Sequence, residues 1–324
     1  MPLMGGKIAR RKGVWNGLML VILALVGLWW GLSMLTGDTL TPVRWANYAT
    51  PWISMGLLIA GAGFFAAGSK NWGLAYLLVG LMVLGPYGSQ LTGGLGGFVQ
   101  KMEPTDNVLR VVSFNLMTRN VDTNAVAAVI LHNQADLIFL QEVRDPELLA
   151  TRISNMYGDA PTYIATDDRL NLMIVSRFPV LEEPSEGKIQ RAVVKAPQGN
   201  IVLRNLHSVK GIRSDAMQQK LIAGLSEEVS RMAAPIIVAG DFNLTQDNDG
   251  YRELRTWLFN AHEEAGSGFG FTFPTPSRRV GWLFPFVRID HLFVSRHFAV
   301  LSSSTVKDYG NSDHFPIEME VIQR

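Results

Sequence analysis

Residues 17–35 (GLMLVILALVGLWWGLSML) run for nineteen positions without a charge, and nothing else constrains the chain as strongly. A stretch of that length predicts a helix that crosses a bilayer, since about 20 residues at roughly 1.5 Å each cover the hydrocarbon core. Two more uncharged stretches follow, at 45–68 and 71–99. Residues 1–100 are therefore expected to form a membrane anchor with about three transmembrane helices, at 14–35, 50–68 and 71–90, and a Gly-rich tether at 93–97. Trp29, Trp30, Trp45, Trp52 and Trp72 fall near the expected span ends, where an amphipathic ring suits the headgroup region. A cleaved signal peptide fits poorly: the first run is long, no small-residue cleavage pattern follows it, and further spans do.

Basic residues set the orientation. Lys7, Arg10, Arg11 and Lys12 precede the first span and should hold the N-terminus in the cytoplasm, with Lys70 in a second cytoplasmic loop. Three crossings then leave everything after the third span on the external side, whereas two would leave it in the cytoplasm. The third run is the weakest, because Pro86, Gly88 and the glycines beyond predict an early helix stop.

The remainder, 105–324, is built for water. It holds about 22 Lys and Arg against about 26 Asp and Glu, although the whole chain carries a formal charge of +1. A slightly acidic domain counts against strong non-specific nucleic-acid binding, which rests on many cation–phosphate contacts. The absence of cysteine excludes disulfides and thiolate metal sites or nucleophiles. Short apolar runs alternate with helical patterns. VLRVVSFN (108–115), DLIFLQEV (136–143), NLMIVSRFP (171–179), NIVLRNLHS (200–208), APIIVAGDFN (234–243), RIDHLFVS (288–295) and PIEMEVI (316–322) read as strands, with helices at 122–132 and 214–232. The rhythm is that of an α/β domain large enough for one core.

Asn115, Glu142, His207, Asp241 with Asn243, Asp290, and Asp313 with His314 each lie at or just beyond one of these runs. Strand ends in α/β domains converge on one sheet edge, where ligands bind. The set meets the needs of phosphoester hydrolysis. Glu142 is a natural oxygen ligand for a hard divalent cation. Asp241, or the Asp290/His314 pair, is a candidate base for an attacking water. Asn243, His207 and His314 are candidate donors to phosphoryl oxygens. Asp290 has a plainer alternative, pairing with Arg288. His132, His262 and His297 match no pattern and read as structural or exposed. His291 should face away from Asp290 and pack.

Taken together and in order, SFN at 113–115, QE at 141–142, GDFN at 240–243, RID at 288–290 and SDH at 312–314 resemble the motif set of the endonuclease/exonuclease/phosphatase superfamily, over roughly residues 108–322. That resemblance implies a DNase I-like fold, a two-sheet α/β sandwich with helices on its outer faces. It implies Mg²⁺ or Mn²⁺ as cofactor, with Glu142 the principal ligand and Asn115 and Asp313 assisting. It also implies that Asp241 orients or deprotonates water, that Asn243 holds the water or a phosphate oxygen, and that His314, paired with Asp290, and His207 contact the phosphate.

The expected activity is metal-dependent hydrolysis of a phosphodiester or phosphomonoester, with lipid headgroups among the candidate substrates and the bilayer as partner; no protein partner is evident. A membrane-tethered nuclease and a catalytically inactive binding module are the alternatives. Lys210, Arg213, Arg278 and Arg279 either form a cationic rim or are ordinary solvated charges. Trp282, Phe284 and Phe286 alternate in VGWLFPFV (280–287), either as a core-facing strand or as an apolar loop that meets lipid or an acyl-bearing substrate.

Overall fold

The structure, a computed structural model, describes residues 3–93, 107–132, 134–158, 160–210 and 215–324. The expected tether lies outside these residues from position 94 on, and so does Arg213. The chain divides into two compact units, Met1–Gly88 with Asp247–Asp249, and Ser89–Gln246 with Gly250–Arg324.

In the first unit the helices are α1 (Leu3–Thr36), α2 (Thr41–Tyr48), α3 (Thr50–Ala66) and α4 (Lys70–Leu84), followed by a 3₁₀ turn; the short α5 (Gly88–Leu91) belongs, after its first residue, to the second unit. Two segments, Gly13–Thr39 and Lys70–Leu91, are long and apolar enough to cross a membrane. The second expected span, 50–68, is the single helix α3, which at 17 residues is short for a crossing; α2 meets it at a 69° bend, and only as a pair do the two reach the length of a third span. Pro51 explains the break. It has no N–H to continue the α2 ladder but suits the first turn of a new helix, and the Thr50 hydroxyl donates to the Asn47 carbonyl instead (2.9 Å). Pro86, where the weak point was expected, starts only a 3₁₀ turn between α4 and α5.

The second unit holds β1 (Val108–Asn115), α6 (Thr123–His132), β2 (Leu137–Gln141), α7 (Pro146–Tyr157), β3 (Tyr163–Asp167), β4 (Leu172–Ser176), β5 (Val180–Glu186), β6 (Ile189–Ala196), β7 (Gly199–His207), α8 (Asp215–Ser230), β8 (Ile236–Asp241), α9 (Asp249–Leu254), β9 (Phe259–Asn260), α10 (Ala261–Ala265), β10 (Asp290–Val294), β11 (Phe298–Thr305) and β12 (Ile317–Gln323). The strands form two six-stranded sheets, ordered β11-β12-β1-β2-β4-β3 and β5-β6-β7-β8-β10-β9.

The sheets pack face to face over a shared core that includes Val111, Phe139 and Ile174 from the first and Val194, Leu203 and Leu292 from the second. Helices α6 and α7 cover the outer face of the first sheet through Val126, Ile130 and Ile153; α8 and α9 cover the second through Ile222, Leu225 and Leu254. Central strands buried on both faces read as continuous apolar runs, which is why β2, β4 and β8 are buried at every position. The two-sheet sandwich with outer helices is thus the observed architecture.

Candidate active site

Register brings the polar strand ends together. β1 runs parallel to β2 with Asn115 beside Gln141, so Asn115 and the next residue after Gln141, Glu142, finish at one edge. In the other sheet β7 runs parallel to β8 with His207 beside Asp241, and β10 runs antiparallel to β8 with Asp290 beside Asp241. Directly opposed residues share a sheet face. Gly240 makes the approach possible: at φ 143° a Cβ there would lie 1.9 Å from the Leu206 carbonyl oxygen, so only glycine fits before Asp241.

Contacts then link residues of the two sheets. The Asn115 Nδ2 amide donates to Asp241 Oδ2 (3.0 Å) and, at 3.3 Å, to Glu142 Oε1. His207 Nε2 lies 3.6 Å from Glu142 Oε1 and 3.7 Å from Asp241 Oδ2, and His314 Nε2 lies 3.9 Å from the same Asp241 oxygen. His314 Nδ1 bonds Asp290 Oδ2 at 2.9 Å. The plainer alternative for Asp290 fails, since Arg288 turns to Asn260 (2.8 Å). Asn243 is attached through its backbone N–H, which donates to Asp241 Oδ1 (2.9 Å), while its side chain donates to the Ser208 carbonyl (3.0 Å). Asp313 is turned to Arg278, whose Nε donates to it at 2.8 Å.

Each ionisable group is tuned by identifiable neighbours. Glu142, at the strained φ of 55°, accepts from both the backbone N–H and the hydroxyl of Thr118, each at 2.8 Å. Burial works to raise its pKa, but the Thr118 donors, His207 and Asn115 outweigh burial and lower it to about 2. Asp241 is fully buried; burial and then the Asp290 carboxylate raise its pKa against the pull of His314 and His207. Burial disfavours the cationic form of His314, yet Asp290 and Asp241 together push its pKa up to about 9. The Phe273 ring lies 4.8 Å from that imidazole and limits its orientation.

Several supporting bonds could not be read from the sequence, although Ser312 itself lies in the SDH motif. Thr118 holds Glu142, the Ser312 hydroxyl donates to the Asn115 carbonyl (2.6 Å), and Gln218 Nε2 donates to the carbonyls of Phe242 and Asn243. His291 packs against Phe242 and Tyr251, as its strand position predicted. His262 is buried, with Nε2 on the Gly268 carbonyl (2.9 Å). Lys210 and Arg279 are exposed, whereas Arg278 is committed to Asp313.

The donor set fits a hard divalent cation. Ligand atoms of Asp241, Asp290 and His314 all lie within 4.8 Å of one another. His314 Nδ1 is already engaged by Asp290 and both side chains are buried, so the ionised, partly accessible Glu142 beside Asn115 and Asp241 is the better seat. Asp241, raised first by burial and then by the Asp290 carboxylate beside it, is a group whose ionised form a bound cation would favour.

Comparison with known proteins agrees with this geometry. A family model described as the Endonuclease/Exonuclease/phosphatase family matches residues 112–314. No curated protein matches the chain. Among solved structures, a humanized D. rerio TDP2 carrying 14 mutations is 17% identical, with a TM-score of 0.54 over 66% of this chain and 98% of that one. An endonuclease/exonuclease/phosphatase from Bacteroides vulgatus is 16% identical at a TM-score of 0.53, over 68% and 100%. A family protein from Leptotrichia buccalis is 18% identical at 0.53, over 66% and 99%. At such identities these matches speak for the fold alone.

Proposed function

The chain belongs to the endonuclease/exonuclease/phosphatase family, and from that premise we propose that it is a membrane-anchored, divalent-metal-dependent phosphoesterase acting on phosphoesters near a bilayer. The observation that carries the reading is the meeting of Asn115 and Glu142 from one sheet with His207, Asp241, Asp290 and His314 from the other. Glu142, helped by Asn115, would hold Mg²⁺ or Mn²⁺, with Asp313 near the same edge. Bound there, such a cation supplies Lewis-acid polarisation of a phosphoryl oxygen. Asp241, whose raised pKa makes it a stronger base than an ordinary carboxylate, takes the proton of the attacking water. His314, protonated at neutral pH, donates to a phosphoryl oxygen, and Asp290 fixes its ring. His207 donates from another strand end, and the Asn243 backbone N–H orients Asp241.

Packing within the first unit supports three crossings. α3 and α4 lie against each other along their length, with the Ser54 hydroxyl on the Gly80 carbonyl (2.8 Å) and Gly61 and Gly73 at close approaches to Leu77 and Phe65. Helices so paired share one depth, so if α4 spans, α3 spans. The catalytic unit is then external, in accord with Lys70 on the cytoplasmic side.

The test is hydrolysis of bis-p-nitrophenyl phosphate, DNA and a phospholipid panel by the detergent-solubilised full chain, with and without Mg²⁺ or Mn²⁺. An Asp241→Ala/His314→Ala variant runs beside it. Metal-dependent turnover lost in the variant is the expected result; preference for DNA would favour the nuclease. Absence of both turnover and metal binding would leave the binding module standing.

A further inference from the structure

Residues 280–286 do not form the core-facing strand that their alternation allows. A 3₁₀ turn, Arg279–Gly281, leads into an irregular loop in which Val280, Trp282 and Leu283 are 64%, 71% and 61% exposed and Phe284 and Phe286 are also exposed. Five large apolar side chains within seven residues is a density that water-facing loops rarely carry, and it marks an interaction surface. The loop is anchored on both sides to the catalytic edge. Before it, Thr275 donates through its backbone N–H to the Asp313 carbonyl (3.0 Å) and through its hydroxyl to the Ser312 carbonyl (2.5 Å), and Arg278 holds the Asp313 carboxylate. After it, Val287 bridges Phe273, whose ring lies against His314, and Asp290 follows three residues on. At the bend itself, a Cβ on Gly281 would meet the Thr275 carbonyl oxygen at 1.9 Å, so the turn is closely packed at its base.

We infer that this loop is an interfacial wedge that seats the catalytic unit on a phospholipid bilayer, so that the site takes phosphoesters displayed at that surface. The inference rests on the reading that the N-terminal helices cross a membrane, and it deepens the proposed function by naming the surface the site works on. The occupant follows from the chain itself. Sixteen residues, 92–107, separate the last helix from β1, and even fully extended they reach no more than about 60 Å. The catalytic unit is therefore held in the neighbourhood of the bilayer those helices cross. A tryptophan and aliphatic side chains with an exposed arginine, Arg279, beside them match the headgroup–acyl boundary. Because the helices already supply attachment, the wedge adds orientation: residues bonded to the SDH turn cannot enter lipid without bringing the mouth of the site with them.

The chain has no cysteine, so Trp282→Cys carries a unique environment-sensitive fluorophore. The full-length variant is reconstituted into phosphatidylcholine/phosphatidylglycerol vesicles containing doxyl-labelled lipid and floated on a density gradient. A second variant, Gln198→Cys, carries the label on the exposed hairpin between β6 and β7. Quenching at position 282 at least about threefold stronger than at 198, independent of protein density, is the expected result. In parallel, Trp282→Asp/Leu283→Asp should keep its rate on soluble bis-p-nitrophenyl phosphate within about twofold and lose at least about tenfold on a vesicle-borne phosphoester. Floating protein with equal quenching at both sites overturns the docking alone. A blue shift that appears only at high protein density assigns the loop to a second copy of this chain and also overturns it. Protein that does not float with the vesicles overturns the membrane reading itself.

Discussion

Replacing Asp290 with asparagine separates the electrostatic part of the site from its geometry. In Asp290→Asn the amide keeps the volume and can still accept from His314 Nδ1 across the 2.9 Å contact, but the charge is gone. In the native site His314 has its pKa pushed up to about 9, Asp290 being the first of the groups that overcome burial. At pH 7.5 a group with that pKa is about 97% protonated, whereas one returned to the ordinary value of about 6.5 is about 9% protonated. Loss of the carboxylate should therefore lower kcat/KM at pH 7.5 by at least about tenfold, because the donor to the phosphoryl oxygen is mostly missing. The sign reverses the usual expectation for a His-dependent rate: the variant should regain ground relative to the native protein as pH falls below the ordinary imidazole value of about 6.5. The assay is bis-p-nitrophenyl phosphate hydrolysis at saturating metal from pH 5 to 9.5, with His314→Gln as the variant that cannot recover in acid. A uniform drop, with a profile parallel to that of the native protein, would refute the protonation argument and leave Asp290 a purely geometric part.

Glu142→Gln should raise the Mg²⁺ or Mn²⁺ concentration needed for half-maximal activity by at least about tenfold, read from a metal titration of the rate, because Glu142 offers an already ionised carboxylate. Thr118→Val removes one of the two Thr118 donors to that carboxylate and should weaken metal dependence in the same direction but less, several-fold by the same titration. Gly240→Ala places a Cβ 1.9 Å from the Leu206 carbonyl and should destabilise the catalytic unit by more than about 3 kcal/mol, seen as a lowered midpoint in thermal unfolding. His262 predicts acid sensitivity: burial, then Arg288, lower its folded pKa to about 3 against 6.5 unfolded. The unfolded chain thus takes up a proton the fold refuses, so stability is complete above pH 6.5 and declines as pH falls toward about 3. The loss reaches about 2 kcal/mol by pH 5. Unfolding midpoints against pH should flatten over that window in His262→Gln.

How much of this was readable from the residues depends on which physical force left a mark in one dimension. Strands buried on both faces must be apolar throughout and must end abruptly where a ligand-facing carboxylate begins, so β1 could be read to its bounds and β2 and β8 nearly so, with Asn115, Glu142 and Asp241 at their ends. The hairpin of β5 and β6 was not legible because β5 is a half-exposed edge strand, LEEPSE at its core, held by pairing rather than by apolar burial. Helix α7 escaped for a similar reason, since Leu149 and Ile153 are its only fully buried positions. The bend at Pro51 was hidden inside an apolar run whose hydropathy is blind to backbone donors. Within the site the same division holds. Residues that bear charge at strand ends announce themselves, whereas those that set the charge do so through bonds to backbone or through register. Thr118 on Glu142, Arg278 on Asp313 and the opposition of Asp290 to Asp241 all depend on distances along the chain that no spacing rule covers. The function is consequently legible earlier than its tuning: the carboxylates and imidazoles name the chemistry, while fully buried Asp241 and the Asp290–His314 pair decide which of them gives a proton and which takes one.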